Sequence, residues 1–313
     1  MERWIAVQIP ALSESERETL SRGAASLGWG VRFVEREEEA SGAEILLGVF
    51  SVIPAGVRWV ATPNAGAEPY TTPGFLPEHV LLTNSAGAYG VTIAEHIIMT
   101  ALELLRRRPE YLELVSRRQW VRALPIRSLK DLRITLLGTG DIGQETARRL
   151  RAFGPAALLG VNRRGVSPDS VFDEVLPVNR LEEALPRSEL LICSLPGTEE
   201  TKNLLDARRL SMLPRGALLI NVGRGSLIDE DALCRALRDG ALAGAALDVF
   251  RQEPLPPESP LWETPGLIVT PHIAGNLSLP WTVSRVIELF LENLSRYTAG
   301  QPLLRRVDIR QGY

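Results

Sequence analysis

The chain has 313 residues, of which 45% are hydrophobic and 23% are charged, and its formal net charge is −3. This size favours two medium domains over one, and the near-neutral charge argues against a dedicated nucleic-acid-binding protein. The only cysteines, Cys193 and Cys234, lack metal-ligand spacing, so we expect neither a disulfide framework nor a metal site. Without a signal-peptide pattern or an apolar stretch of membrane-spanning length, we expect a cytoplasmic protein that contacts no membrane.

The first ninety residues alternate short apolar strands with helical or turn segments. A segment with helical spacing, Ser13–Leu27, separates the first two strands, which is typical of a parallel β-α-β unit. The predicted strands are Trp4–Ile9, Val31–Val34, Ile45–Gly48, Val57–Ala61 and Val80–Thr83. A long apolar helix, Thr92–Leu105, follows them, and an Arg-rich helical stretch continues to about Arg122.

A second α/β series then begins. Its strands are Ile134–Leu137, Leu158–Val161, Leu190–Leu195, Ala217–Val222, Ala243–Val249 and Leu267–Thr270. Its helices are Gln144–Phe153, Ala207–Met212 and Asp229–Asp239. Strands that alternate with helices at this interval predict an open, doubly wound parallel sheet. A final long helix is expected over Pro280–Gly300.

A glycine-rich turn links the first strand of this second series to its helix. It reads Gly138-Thr-Gly140-Asp141-Ile142-Gly143. The first glycine permits a tight turn, the second lets the backbone approach a pyrophosphate, and the third lets the helix pack closely on the sheet. The helix N-terminus then offers N–H groups to phosphates. The turn therefore predicts a dinucleotide site, the alternative being a glycine-rich turn that binds nothing.

The end of the next strand bears on the choice of cofactor. NAD sites place an acidic residue there to bind the ribose 2′-hydroxyl, whereas this chain has Asn162, Arg163 and Arg164. A guanidinium can bind a 2′-phosphate through charge-assisted hydrogen bonds. We therefore expect NADP(H) to be preferred, with NAD(H) possible, one of the two arginines on the phosphate, and Asn162 near the ribose. The alternative is that both arginines only coat the surface.

Charged residues also follow three later strands. Arg224, Asp248, Glu253 and His272 lie after predicted strands, and ligands of open α/β sheets bind at that edge. His272 suits proton donation, Glu253 could orient its ring, and Arg224 could bind a carboxylate and polarise a carbonyl. Asp248 could accept from a nicotinamide carboxamide. Taken singly, His272 could close a loop, Glu253 could be a turn acid, and Arg224 could cap a helix.

Six stretches carry a resemblance to a known family. They read TNSAGAYGVTIAEH, LLGTGDIGQETARRL, SLPGTEETKNLL, MLPRGALLINVGRGSLIDEDAL, AALDVFRQEPLP and TPHIAG. In these stretches the chain resembles the D-isomer-specific 2-hydroxyacid dehydrogenases. Its length, its basic cofactor loop and its VDIRQGY ending are most similar to the glyoxylate/hydroxypyruvate reductase branch.

The resemblance implies a particular α/β architecture. A Rossmann dinucleotide-binding domain over residues 98–281 would be inserted into a flavodoxin-like substrate domain over residues 1–97 and 282–313. Both domains would be doubly wound parallel sheets, and the chain would cross between them on two long helices. The resemblance also implies a homodimer, joined through a helical arm near residues 109–126 that contains Trp120.

The resemblance further implies roles for individual residues. Arg224, Glu253 and His272 would be the catalytic residues, and Arg224 and His272 would also contact substrate. Backbone N–H groups of Ala65, Gly66 and Ala67 would bind the substrate carboxylate. Family members usually have Asp where this chain has Glu68, so the chain departs from the family pattern directly after these donors. Besides the glycine turn, the cofactor contacts would include Leu195, Pro196, Thr201, Gly223 and Asp248.

The expected activity is hydride transfer between NADP(H) and a small 2-keto or 2-hydroxy acid such as glyoxylate or hydroxypyruvate. Two alternatives remain open. The stretch Asn276–Trp281 could shape a pocket for a bulkier acid such as 2-ketopantoate. The chain could instead be a dinucleotide-sensing binding module that acts like a corepressor, although sensing needs no proton donor.

Overall fold

The computed structural model describes residues 3–10, 12–167 and 171–309. The strands of this part are β1 (Trp4–Gln8), β2 (Gly30–Phe33), β3 (Ile45–Gly48), β4 (Trp59–Ala61), β5 (Leu81–Thr83), β6 (Arg133–Leu137), β7 (Ala157–Asn162), β8 (Glu174–Pro177), β9 (Leu190–Cys193), β10 (Ala217–Asn221), β11 (Leu242–Leu247) and β12 (Leu267–Val269). The α-helices are α1 (Glu14–Ser26), α2 (Glu68–Thr71), α3 (Gly90–Leu105), α4 (Arg108–Ser116), α5 (Asp141–Arg151), α6 (Leu181–Ala184), α7 (Ala207–Ser211), α8 (Glu230–Arg238) and α9 (Pro280–Thr298).

The chain divides into two compact units. The first unit combines Met1–Tyr89 with Asn276–Tyr313, and the second unit is Gly90–Gly275. Each unit contains a parallel sheet, one of five strands and one of seven. The predicted fold class is confirmed: the chain forms two α/β domains, each with a parallel sheet, and the second domain is inserted into the chain of the first.

The sheet of the first unit has the strand order β2-β1-β3-β4-β5. This is the flavodoxin-like order, in which the sheet winds in both directions from its first strand. All four residues of β3 are buried, as expected for a strand covered on both faces. Trp59 of β4 is fully buried and stacks on Phe290 of α9, with 5.2 Å between the ring centroids. The last long helix therefore completes a core that the first strands begin.

The sheet of the second unit has the order β12-β11-β10-β9-β6-β7-β8. The strand order reverses at β6, which pairs with β9 on one side and β7 on the other. Ligands of doubly wound sheets bind outside the carboxyl ends of the strands at such a switch point. The glycine turn follows β6 directly, so the candidate dinucleotide site lies at that point.

Local sequence signals explain where several helices begin. The Ser13 side chain accepts a hydrogen bond from the Glu16 N–H, and the Ser13 N–H donates to Glu16 Oε2 at 2.8 Å, which together form a capping box before α1. Asp229 caps α8 by accepting from the Ala232 N–H at 3.0 Å. Helix α5 differs, because its N-cap is Gly140 and no side chain caps it.

The crossings between the units lie ahead of the two long helices rather than within them. Helix α3 packs against α5, β10 and β11 and belongs wholly to the second unit. Helix α9 packs against α1 and belongs wholly to the first unit. The unit boundaries therefore fall before Gly90 and Asn276.

The Arg-rich stretch after α3 is less helical than predicted. Helix α4 ends at Ser116, and residues 119–128 are irregular, so the expectation of a helix to Arg122 and of a helical segment to residue 126 is wrong. Arg118 has φ 57°, in the left-handed region that a helix cannot continue through. Pro125 then disfavours helix before it.

The sequence did not predict the edge strand β8, and α5 begins at Asp141, ahead of its predicted start. In the VDIRQGY ending, the Val307 N–H donates to Leu82 O at 2.9 Å, and residues 310–313 lie outside the described part. Within the described ranges, none of the helices has both the length and the apolarity that crossing a bilayer requires.

Candidate active site

The glycine turn after β6 is built by close contacts at two of its three glycines. Gly138 has φ 105°, and a Cβ there would lie 2.7 Å from Ser194 Oγ. A Cβ on Gly143 would lie 2.1 Å from the carbonyl oxygen of Gly138. A Cβ on Gly140, by contrast, would meet nothing within 4 Å. The open space at the uncapped N-terminus of α5, where N–H groups lack partners inside the helix, fits a dinucleotide pyrophosphate.

Asp141 is the first residue of α5 and faces the start of α3. A Cβ on Gly90 would lie 2.7 Å from the carboxylate of Asp141. The absence of a side chain at Gly90 lets this carboxylate approach the N-terminal end of α3, where a negative charge is favourable. The Asp141 side chain thus contributes to the contact between α5 and α3.

The loop after β7 is organised by Asn162. Its Nδ2 donates to Thr139 Oγ1 at 2.6 Å and to the Val166 carbonyl at 2.7 Å. Its Oδ1 accepts from the N–H groups of Arg164 at 2.9 Å and Gly165 at 2.7 Å. Asn162 therefore fixes the loop that carries Arg163 and Arg164, both of them exposed, and none of the described residues 162–167 that follow the strand end is acidic.

The segment after β9 contains the predicted cofactor residues Leu195, Pro196 and Thr201. The Thr201 hydroxyl donates to the carbonyl of Pro196 at 2.7 Å and closes this loop. Gly223, from the turn after β10, packs on the same segment, because a Cβ there would lie 2.6 Å from Leu195 O. The turns after two adjacent strands are thus in direct contact.

Arg224 follows β10 and is held by its own turn. Asn221, which is 1% exposed, accepts from the Gly223 N–H at 3.1 Å and donates to the carbonyl of Arg224 at 2.9 Å. The guanidinium donates from Nη1 to the Gly223 carbonyl at 2.7 Å. Asn221 was not predicted as a site residue, although an Asn at a strand end is a common turn former.

Glu253 and His272 are brought together from loops that follow adjacent strands, β11 and β12. His272 Nδ1 lies 2.7 Å from Glu253 Oε2, and the other carboxylate oxygen accepts from the Phe250 N–H at 2.8 Å. Because Nδ1 faces the carboxylate, Nε2 is the ring nitrogen left for a substrate. The His272 side chain is 50% exposed.

Asp248, at the end of β11, is buried and binds the His272 turn. Its Oδ1 accepts from the Thr270 hydroxyl at 2.6 Å and the Ile273 N–H at 2.9 Å, and its Oδ2 accepts from the Ala274 N–H at 2.8 Å. Thr270 was not predicted, and no sequence signal distinguishes it. The predicted contact of Asp248 with a nicotinamide carboxamide stays a prediction, and the observed contacts give this carboxylate an anchoring role.

The predicted carboxylate-binding loop lies in the first unit. The Asn84 Nδ2 donates to Ala65 O at 2.9 Å, and the Tyr89 hydroxyl donates to Pro63 O at 2.8 Å, so residues 84–89 hold the loop from behind. Burial raises the pKa of Tyr89 far above its ordinary value, which keeps the phenol protonated as a donor. Among the described residues, the N–H groups of Ala65, Gly66 and Ala67 donate to no acceptor of the chain.

Comparisons with known proteins agree on one family. Residues 98–274 match the model of the D-isomer-specific 2-hydroxyacid dehydrogenase NAD-binding domain. The glyoxylate reductase of Thermofilum pendens is 32% identical over 250 residues, which cover 78% of this chain and 73% of that protein. Among solved structures, a D-isomer-specific 2-hydroxyacid dehydrogenase family protein from Aeromonas salmonicida is 31% identical with a TM-score of 0.85, over 99% of this chain and 100% of the other.

A second solved structure is similar over the same extent. The NADPH-dependent glyoxylate/hydroxypyruvate reductase of Sinorhizobium meliloti, in complex with NADP and sulfate, is 27% identical with a TM-score of 0.83. The similarity covers 99% of this chain and 100% of that one.

Proposed function

Because the chain belongs to the D-isomer-specific 2-hydroxyacid dehydrogenase family and is an oxidoreductase, we propose that it uses NADPH to reduce a small 2-keto acid, such as glyoxylate or hydroxypyruvate. The observation that carries the proposal is the pair of His272 and Glu253, in contact at 2.7 Å beside the turn that bears Arg224. These three groups follow β10, β11 and β12, which are adjacent and parallel. Their common edge supplies a proton donor and a cation for a substrate carboxylate.

The dinucleotide would be held at the end of β6. The open space at Gly140 and the N-terminus of α5 fit a pyrophosphate, and the loop of Asn162, Arg163 and Arg164 fits a ribose 2′-phosphate better than a free 2′-hydroxyl. Further contacts would come from the segment with Leu195, Pro196 and Thr201. When bound, the nicotinamide supplies the hydride.

The protein side chains supply the proton and the orientation. His272 donates its Nε2 proton to the carbonyl oxygen of the keto acid as that oxygen gains negative charge. Glu253 keeps the ring oriented through its contact with Nδ1. Arg224 binds the carboxylate and polarises the carbonyl, and the N–H groups of Ala65, Gly66 and Ala67 serve as carboxylate donors of the first unit.

We also propose that the protein is a homodimer. The segment from α4 to Ile126 exposes several large apolar side chains. Their exposed fractions are 48% for Leu112, 67% for Val115, 89% for Trp120, 43% for Val121 and 50% for Ile126. An exposed apolar stretch of this kind marks a protein-protein contact.

The decisive experiment follows NADPH and NADH consumption with glyoxylate, hydroxypyruvate, pyruvate and 2-ketopantoate. We expect turnover that prefers NADPH and a two-carbon or three-carbon acid. His272→Gln should lower kcat by about 10²-fold to 10⁴-fold without changing NADPH affinity. His79→Gln, at an exposed histidine of the first unit, is the matched control.

Each other outcome identifies which part of the proposal is wrong. Preference for NADH would contradict the role of the two arginines, and preference for 2-ketopantoate would replace the substrate class. Wild-type activity of His272→Gln would exclude His272 as the proton donor. No turnover, together with association that depends on the cofactor, would indicate a sensor.

A further inference from the structure

A third histidine lies close to the catalytic turn, from helix α3. The His96 side chain is 10% exposed, and its Nε2 lies 3.4 Å from Thr270 Oγ1 and 4.0 Å from Asp248 Oδ1. Neither the expected chemistry nor the family resemblance assigned it a role. Since α3, β11 and β12 all belong to the second unit, this contact is internal to one compact body.

The distances decide the direction of the hydrogen bonds. Thr270 has one hydroxyl proton, and its 2.6 Å contact with Asp248 Oδ1 is the shorter and the charge-assisted one. That proton therefore lies on the Asp248 side, and Thr270 Oγ1 can only accept from His96. His96 consequently carries its proton on Nε2, and the chain of donors runs from His96 to Thr270 to Asp248.

The burial of His96 favours its neutral form. Burial lowers the pKa of His96, while the nearby carboxylates of Asp248 and Glu103 act in the opposite direction with smaller effect. At neutral pH a ring with one proton is therefore expected. That single proton is the one that the hydrogen-bond chain from His96 through Thr270 to Asp248 (the relay) requires on Nε2.

Asp248, at the end of this relay, holds the backbone of His272 in an unfavourable conformation. His272 has φ 53°, a left-handed conformation that costs a non-glycine residue on the order of 1 kcal/mol or more. The turn is kept in place by the Asp248 carboxylate, through the N–H groups of Ile273 and Ala274, and by the carbonyl of Asp248, which accepts from the His272 N–H at 2.9 Å. The orientation of Asp248 thus controls where the His272 ring points.

We propose that His96 is a positioning residue of the reductase: as an Nε2–H donor it commits the Thr270 hydroxyl to Asp248 and thereby fixes the turn that presents His272 to Glu253. This inference rests on the proposed function, because it assigns His272 the proton transfer. His96 is placed to act through Thr270 and Asp248 rather than on the substrate itself. Its loss therefore acts on the rate of proton transfer and leaves binding intact.

The kinetic test compares variants that remove the relay with variants that keep it. Thr270→Val and His96→Leu remove one link each at similar volume, whereas Thr270→Ser and His96→Gln keep a hydroxyl or an N–H donor. We expect the first two to lower kcat about tenfold, because a misplaced catalytic group slows the reaction steeply. The KM for the keto acid and the Kd for NADPH should change less than about twofold, since groups acting only in the transition state affect kcat.

Three further comparisons separate positioning from a general packing defect. The solvent deuterium isotope effect on kcat should rise in Thr270→Val and His96→Leu and return toward the wild-type value in Thr270→Ser and His96→Gln. The double variant that combines Thr270→Val with His96→Leu should have a kcat no lower than that of Thr270→Val alone, because both substitutions interrupt the same relay. Thr100→Val is the matched control, since this buried hydroxyl of α3 donates only to carbonyls of its own helix.

A spectroscopic test does not depend on turnover. The imidazole ¹⁵N spectrum at neutral pH, assigned with His96→Gln, should show His96 protonated at Nε2 and bare at Nδ1. An Nδ1–H tautomer, a charged ring, additive kinetic losses or a wild-type kcat in Thr270→Val would each overturn the proposal. Absence of turnover with every keto acid would refute the proposed reaction instead, while the tautomer would still decide on the relay.

Discussion

Gly140→Ala separates cofactor binding from folding. The backbone of Gly140 has φ −78° and ψ −157°, which alanine can adopt, and the added Cβ would meet no atom within 4 Å. The weaker helix capping by Ala and the reduced freedom of the unfolded chain offset each other, so stability should change by less than about 1 kcal/mol. The methyl group would nevertheless occupy the space where a pyrophosphate approaches the N-terminus of α5.

The loss of affinity can be estimated from the contacts at stake. Hydrogen bonds to a charged group contribute about 1.5 to 3 kcal/mol, so displacing one phosphate contact should raise the Kd for NADPH about tenfold to a hundredfold. Gly143→Ala is the opposite case. Its Cβ would lie 2.1 Å from Gly138 O, against an ordinary contact of about 3.5 Å, so α5 must move by about 1 Å or more. We expect a loss of stability on the order of 3 kcal/mol.

Urea unfolding and fluorescence titration with NADPH measure the two effects on the same preparations. Gly140→Ala should unfold at the wild-type midpoint and bind NADPH weakly, whereas Gly143→Ala should unfold at a clearly lower midpoint. If Gly140→Ala bound NADPH as tightly as the wild type, the backbone at this position would not contact the phosphates. The assignment of the turn to the dinucleotide would then fail.

Three other predictions concern charge and assembly. Replacing both Arg163 and Arg164 by alanine should raise the Kd for NADPH about tenfold or more at low salt and leave the Kd for NADH unchanged. In titrations with added salt, the difference in NADPH affinity between this variant and the wild type should become smaller. Equal losses of affinity for both cofactors would contradict the proposed role of the two arginines. Trp120→Glu should convert a dimer to monomers in light scattering, and a monomeric wild type would refute the proposed arm. The hydrogen bond from Arg151 lowers the pKa of Asp173, so its ionised form contributes stability above its ordinary pKa, and that contribution disappears as the pH falls through the lowered value. Asp173→Asn should therefore destabilise the protein by less than about 1 kcal/mol at neutral pH, and progressively less in acid, in urea unfolding over a range of pH; a difference that does not depend on pH would exclude the carboxylate as the cause.

The parts of the fold that were predictable depend on local patterns. Apolar runs such as Ile45–Gly48 and Ile134–Leu137 are buried parallel strands, and such runs identify themselves because both faces are covered. Strand β8 was not predicted because it is short, lies at an edge and contains Pro177. The end of α4 escaped prediction because nothing in the sequence marks the left-handed conformation of Arg118.

The sequence singles out candidate residues for the site, but it does not give the hydrogen-bond network that joins them. Strand-end positions and the family resemblance singled out Arg224, Glu253 and His272. The partners that hold the catalytic turn, Thr270 and His96, come from a strand end and from a helix far earlier in the chain. Their meeting depends on tertiary packing, and no spacing in the sequence encodes it.

The discontinuity of the first unit has a consequence for synthesis on the ribosome. Trp59 is made early, but the helix that carries its stacking partner Phe290 is made after the whole second unit. At usual elongation rates that delay is on the order of ten to forty seconds, during which the second unit can fold while the early sheet keeps an apolar face uncovered. The nascent chain therefore keeps an apolar face of its early sheet exposed until α9 emerges, and the earliest strands wait longest for their complete core.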